Sequence, residues 1–83
     1  MKANRAYHLI ASRDGFAPAF LADEGRLDRI EVVSIDDGEV VLFWELVAKE
    51  ASRLLRELRA DLAGMEAGEF REKWQAIHDE PES

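Results

Sequence analysis

Two adjacent aspartates, Asp36 and Asp37, are the residues whose type and spacing most directly suggest chemistry. Paired carboxylates can bind a cation, or act as general acid and base when a cleft separates their pKa values. An EF-hand calcium loop needs oxygen ligands at positions 1, 3, 5 and 12 around a glycine at position 6. With Gly38 at position 6, Val33 and Trp44 fall at positions 1 and 12, so the pattern fails. We therefore expect solvated turn residues.

Other residue types that act as nucleophiles, bases or metal ligands are sparse. The histidines His8 and His78 lie on separate predicted elements, without the HxxxH or HExxH spacing of a metal site. The chain has no cysteine, which excludes disulfides and thiolate metal sites. Its serines lie in no nucleophile-elbow pattern, and it has no glycine-rich phosphate loop. The sequence therefore predicts a protein that is not an enzyme, with no cofactor and no metal.

The most ordered polar feature is a row of cations on a predicted helix. At about 100° per residue, four basic residues share one flank of that helix: Lys49, Arg53, Arg56 and Arg59. The acids Glu50, Glu57 and Asp61 gather on the opposite flank. The basic flank is either a docking site for an acidic or phosphate group, or a solvated face with internal salt bridges. The nearby acids favour the second interpretation, and Arg53, Arg56 and Arg59 stand as candidate partner-binding residues.

The charge balance is acidic, with 18 acids against 11 bases and a net charge of −7. This sign opposes nucleic-acid binding, which depends on neutralising phosphates. It suits a protein that meets a basic protein partner. Six carboxylates are candidates for that contact: Asp23, Glu24, Asp28, Asp36, Asp37 and Glu39. A narrower hypothesis makes them a phosphate mimic that inhibits a nucleic-acid enzyme, and it requires one continuous patch.

Turn signals divide the first half of the chain into short segments. The triplets RDG, DEG and DDG end at Gly15, Gly25 and Gly38, and such triplets are typical of tight turns. Between them lie AYHLIAS, FAPAFLA, RLDRIEVVSI and EVVLFWEL, which have strand character. Pro18 weakens the second of these because proline cannot donate to a sheet ladder. We expect an antiparallel meander of three to four strands.

A helical period replaces the strand pattern from about Leu46. Apolar residues recur at steps of four and three over about residues 46–63, and Gly64 follows as a helix stop. A short C-terminal helix is predicted over about 69–78. The predicted fold class is therefore α+β: the meander, then a long amphipathic helix and a short one. We expect a single domain over residues 1–78, followed by a flexible acidic tail, residues 79–83.

Residues 37–46 allow a second interpretation, in which they begin one long helix. Val40 and Trp44 extend the helical spacing backwards, and Asp36 with Glu39 resembles a helix-capping box. The β-branched and aromatic composition of this stretch opposes that helix, as does Gly38 in its first turn. A strand is therefore the favoured interpretation.

The hairpin formed by this strand leads to a prediction about partners. A two-residue turn at Asp37 and Gly38 would place Ile35 opposite Val40 and continue with apolar pairs on both faces. The apolar side chains of each face must then be shielded from water by another element or another chain. The long helix can cover one, and the short helix or another chain must cover the other. Because small folds without disulfides often need a partner chain, we expect a non-catalytic protein-binding module that forms a homodimer.

A different class of function remains as the alternative: a small-ligand-binding protein or minor enzyme. Its pocket would lie between sheet and helices or at a dimer seam, with Tyr7, His8 or Trp44 in its lining. The amino-terminal stretch lacks the apolar core of a signal peptide, and no apolar run is long enough to span a membrane. We therefore expect a cytoplasmic protein without a membrane partner. Frequent arginine and alanine with scarce lysine indicate a GC-rich bacterial or phage genome.

Overall fold

A computed structural model of the chain describes residues 1–13 and 27–80. In chain order its elements are α1 (Ala3–Ala6), β1 (Tyr7–Arg13), β2 (Leu27–Ser34), β3 (Val40–Val47), α2 (Ala48–Gly64) and α3 (Ala67–Asp79). This order confirms the predicted α+β class, with a three-stranded antiparallel sheet followed by a long helix and a shorter one. The weak strand predicted near Pro18, and the turns at Gly15 and Gly25, lie outside the described residues.

The strands follow one another in space as they do in sequence, in the order β1-β2-β3. β1 pairs with β2 from Tyr7 opposite Ser34 to Arg13 opposite Asp28. β3 confirms the strand interpretation of residues 37–46, and the long-helix alternative is wrong. The reason is compositional, because the valines and aromatic residues of β3 pack well on a pleated surface and lose side-chain freedom in a helix.

The turn between β2 and β3 is wider than the predicted two residues. The Ser34 N–H donates to the Glu39 carbonyl oxygen at 2.8 Å, and the Gly38 N–H donates to the Ser34 carbonyl oxygen at 2.8 Å. Asp37 stabilises this loop, since its Oδ1 accepts the Glu39 N–H at 3.0 Å. Gly38 has a φ of 73°, a left-handed conformation that glycine adopts without steric cost.

The wider loop and a bulge change the register of the hairpin, so the predicted register is wrong. Val33 lies opposite Val40, the register shifts between Val32 and Val33, and Val32 then lies opposite Leu42. A shift of one residue moves a whole strand to the other face. The observed register keeps the charged side chains of Arg29 and Glu31 away from the core side, where burial would cost free energy.

Both helices pack on the same side of the sheet, which we call the helix-facing side. Trp74 of α3 contacts Trp44 edge-on, with ring centroids 6.0 Å apart, and Phe70 stacks on Tyr7 at 5.5 Å. Of the two predicted covers for the opposite face, the short helix and another chain, the first is therefore wrong. One core results, and its buried residues are Ala3, Ile30, Val32, Leu42, Ala51, Leu58, Leu62, Phe70 and Trp74. The apolar residues of β2 and β3 converge here because the register brings Ile30 opposite Trp44.

The single-turn helix α1 was not predicted, because four residues are too few to show a helical period. It is tied to the connection between α2 and α3. The Ala3 N–H donates to the Met65 carbonyl oxygen, and the Ala67 N–H donates to the Met1 carbonyl oxygen, both at 2.9 Å. These two hydrogen bonds and the burial of Ala3 hold α1 against the connection between α2 and α3.

The helix bounds differ from the predicted ones by a few residues. α2 begins at Ala48, because Leu46 and Val47 belong to the end of β3. α3 is longer at both ends than predicted, and Asp79, the expected start of the tail, is its last residue. Of the helices in the described part of the chain, none is long and apolar enough to cross a membrane.

Candidate functional site

The predicted acidic set is divided by the structure. Asp36, Asp37 and Glu39 are exposed together in the loop between β2 and β3, which we call the acidic tip. Asp23 and Glu24 lie outside the described residues. The tip is held by local hydrogen bonds rather than by a cleft, which agrees with the expected turn role of the two aspartates.

Asp28 lies apart from the acidic tip. It is near the start of β2, six residue steps along the strand from Ser34, or about 20 Å at the usual rise. It is half-buried on the helix-facing side, opposite Leu46, and its Oδ1 is buried without a hydrogen-bond partner among the described residues. The described carboxylates therefore do not form the continuous patch that a phosphate mimic requires.

Four of the seven exposed large apolar side chains in the described part of the chain lie on the side of the sheet away from α2 and α3, which we call the open face. Ile10, Val40, Phe43 and Val47 are 39%, 48%, 37% and 43% exposed. Opposed residues share a face, and the register places all four on the side opposite the buried Ile30. No described helix packs against them. The sequence predicts apolar residues on both faces of the sheet, but the predicted register assigned the wrong ones to each side.

Polar groups lie among these apolar side chains. The Arg29 guanidinium lies over the Phe43 ring, 5.3 Å from its centroid, and its Nη2 is 3.9 Å from the Glu45 carboxylate. Both charged side chains are well exposed, so this ion pair adds little stability. Glu31 follows Arg29 on the same side of β2. The open face therefore mixes apolar contact area with charges of both signs.

The two flanks of α2 face different neighbours. On the acidic flank, Asp61 Oδ2 accepts hydrogen bonds from Lys73 Nζ at 2.6 Å and from Trp74 Nε1 at 2.9 Å, which joins α2 to α3. On the basic flank, Arg53, Arg56 and Arg59 are exposed and form no ion pair with any residue that the structure describes. The internal salt bridges expected along this flank are therefore not observed there.

A groove of about 300 Å³ lies between β1 and the basic flank of α2, and we call it the β1 groove. Its lining residues are Asn4, Tyr7, His8, Leu9, Ala11, Arg59, Leu62 and Ala63. Two residues expected in a ligand pocket, Tyr7 and His8, are thus present, whereas Trp44 packs against Trp74 and His78. The volume is at the lower bound of small-molecule sites, and the groove is open to solvent. This shape suits an extended segment better than an enclosed ligand.

A second groove of about 300 Å³ separates α2 from α3. Of its three charged residues, Asp61 and Lys73 bind each other across it and Glu57 is the third, while Trp74 and Ile77 supply its apolar wall. In this groove the ion pair of Asp61 with Lys73 already holds α2 to α3.

Two carboxyl groups have shifted pKa values, both at helix ends. The Gln75 amide and, to a lesser degree, His78 hydrogen-bond Asp79 and lower its pKa. The amino group of Met1 lowers the pKa of Glu66 in the same way. Neither group lines a groove. In the described ranges, 1–13 and 27–80, no three side chains of metal-binding type are gathered.

Comparisons with protein-family models, with curated proteins and with solved structures give no significant match to this chain. Function is therefore inferred from the surfaces described above. Three are distinct in chemistry and position: the acidic tip, the open face and the β1 groove.

Proposed function

We propose that this protein is a non-catalytic protein-binding module that forms a homodimer through the open face of its sheet. The observation that carries the proposal is the exposure of Ile10, Val40, Phe43 and Val47, each between 37% and 48%, while both helices pack on the other side. An antiparallel sheet with one wet face usually presents polar residues there. Large apolar residues at these positions indicate a surface that another protein covers.

Charge favours a second copy as the occupant of the open face. Each chain has a net charge of −7, so two copies repel each other over most approaches. The open face is closer to neutral, because Arg29 lies among Glu31 and Glu45. In a two-fold symmetric interface the same patch meets itself. The cation of one copy can then face a carboxylate of the other, around a shared apolar centre.

The acidic tip is a separate candidate contact. Its three exposed carboxylates lie together at one end of the hairpin. They retain the role that the sequence predicts for them, which is contact with a basic protein partner. The dimer proposal leaves the tip accessible, because its residues lie beyond the last residue pair of β2 and β3.

Sedimentation velocity of the purified chain tests the dimer, with Phe43→Lys as the disrupting variant. We expect a dimer for the wild type at high micromolar concentration and a monomer for the variant, because a buried unpaired ammonium opposes association. Ile77→Lys is the matched control, since Ile77 is 43% exposed on α3, which packs on the other side of the sheet. It should remain dimeric. A wild type that stays monomeric throughout, or a control that dissociates as readily as Phe43→Lys, contradicts the proposal.

A further inference from the structure

We propose that the outer edge of β1, together with the β1 groove, binds an extended acidic segment of a partner protein by adding a strand to the sheet. This surface is separate from the open face, so the inference goes beyond the dimer. It combines main-chain groups that pair with no described residue, a groove and a basic rim, which are the parts that strand addition uses.

The hydrogen bonds of β1 show which main-chain groups point outward. The Ile35 N–H donates to the Ala6 carbonyl oxygen at 3.0 Å, so this pair belongs to the hydrogen-bonded type. Bonded and non-bonded pairs alternate along an antiparallel ladder. His8 and Ile10 therefore bond to β2, whereas Leu9 and Ala11 direct their N–H and C=O groups away from it. β1 is the first strand of the sheet, and no described residue pairs with that edge.

The opposite edge of the sheet is partly occupied. His78 Nε2 lies 3.0 Å from the Phe43 carbonyl oxygen on the outer side of β3. His78 also contacts the Trp44 ring, with centroids 5.4 Å apart, so α3 lies close to this edge. Of the two sheet edges, β1 is therefore the one whose outward main-chain groups contact no described residue, and we take it as the site of strand addition.

The β1 groove would receive alternate side chains of the added strand. Side chains of Leu9 and Ala11 point to the helix-facing side, and those opposite them on a neighbouring strand share that side. They would lie over Leu62, beside the Arg59 guanidinium at the groove rim. Because Arg59 forms no ion pair with a described residue, a carboxylate at this position gains a charge-assisted hydrogen bond.

Charge also distinguishes an acidic segment from a second copy of this chain. Pairing β1 with β1 of another copy would bring two basic flanks of α2 towards each other, each with Arg56 next to Arg59 on the same side of the helix. Like charges across an interface oppose association. An extended segment with carboxylates at alternate positions avoids this repulsion and meets the basic flank with the opposite sign.

A short synthetic peptide tests the inference on the whole chain. The probe is a capped seven-residue peptide of alternating valine and glutamate, titrated into the ¹⁵N-labelled protein. We expect saturable amide shifts along β1 and slower hydrogen exchange at Leu9 and Ala11. His8 and Ile10 should change less, because their amides already bond to β2. A peptide with lysine in place of glutamate, and one with N-methylated amides on its pairing edge, should bind at least about tenfold more weakly.

Two charge-reversed variants provide the matched comparison. Arg59→Glu should weaken binding of the glutamate peptide by about tenfold or more, because it removes the charge-assisted hydrogen bond at the groove. Arg53→Glu makes the same charge change further round α2 and should alter binding by about threefold or less, through long-range charge alone. Both residues are exposed, so both variants should fold.

Several results would overturn the inference. One is the absence of saturable binding at millimolar peptide. Another is equal binding by the lysine or N-methylated peptide, or equal loss in the two arginine variants. Shifts centred on Phe43 would place the peptide on the open face instead. Concentration-dependent protection of Leu9 and Ala11 without peptide would show that a second copy occupies this edge.

Discussion

The Asp61 carboxylate joins α2 to α3 through its hydrogen bond with the Trp74 indole. The Trp74 indole is only 2% exposed, and a buried N–H needs an acceptor, which Asp61 Oδ2 supplies at 2.9 Å. The sequence places Asp61 on the acidic flank of α2 through helical spacing. It does not identify Trp74 as the partner, because the two residues meet only when α3 packs against α2.

Replacing Asp61 by alanine should lower the free energy of unfolding by about 1–3 kcal/mol, since the indole N–H of Trp74 loses its acceptor. The ion pair with Lys73 adds little to this cost, because the Lys73 side chain is 45% exposed. Glu57→Ala is the control on the same flank, and it should change stability by about 0.5 kcal/mol or less. Urea unfolding followed by circular dichroism measures both. Equal effects of the two substitutions would contradict this role for Asp61.

In the hairpin of β2 and β3, the sequence predicts the turn but not its length. The triplet ending at Gly38 correctly predicts a turn, and the positive φ of that glycine is the reason. The predicted length of the turn was wrong, because Asp37 bonds to the Glu39 N–H and stabilises a wider loop. That local difference matters for the whole sheet, since the register decides which residues reach the core.

Two glycine substitutions should have opposite effects on stability. Gly38→Ala should destabilise the protein by about 1–2 kcal/mol, because alanine is strained at a φ of 73° even though its methyl group would meet no other atom within 4 Å. Gly68→Ala lies in the first turn of α3 with the same open surroundings and no positive φ. It should stabilise by up to about 1 kcal/mol, through helix propensity. Thermal unfolding compares them, and a loss of stability in both variants would contradict the explanation.

The two proposed binding surfaces of the molecule differ in charge. The chain has a net charge of −7, yet its open face is nearly balanced and the rim of the β1 groove is basic. Screening by salt reduces repulsion between like charges and attraction between opposite ones. Added salt should therefore strengthen association through the open face and weaken binding of an acidic segment at the β1 groove.

Raising the ionic strength from about 0.01 M to about 0.15 M shortens the Debye length from about 30 Å to about 8 Å. We expect the homodimer to tighten, because two acidic chains repel less. Binding of the glutamate peptide should weaken over the same range. Sedimentation equilibrium and the peptide titration, each at both salt concentrations, measure this. A dimer that weakens with salt would indicate association through charges between copies rather than through the apolar centre of the open face.

The sequence by itself determined the elements: three strands in the described part, the long and short helices, the turn at Gly38 and the opposite flanks of α2. These follow from local periods and turn chemistry, which act over a few neighbouring residues. The sequence also determined the place of Arg59 on the basic flank of α2. The sequence does not place Leu9 and Ala11 in the groove, because nothing near them marks β1 as an outer strand of the described sheet.

Only the tertiary structure decided the register of the hairpin, the packing of both helices on one side, the docking of α1 and the identity of the accessible edge. Each depends on contacts between distant parts of the chain, such as Ala3 with Met65 and His78 with Phe43. The physical reason is that burial and main-chain pairing are chosen for the whole molecule at once. The register that keeps Arg29 and Glu31 out of the core also leaves apolar residues on the open face.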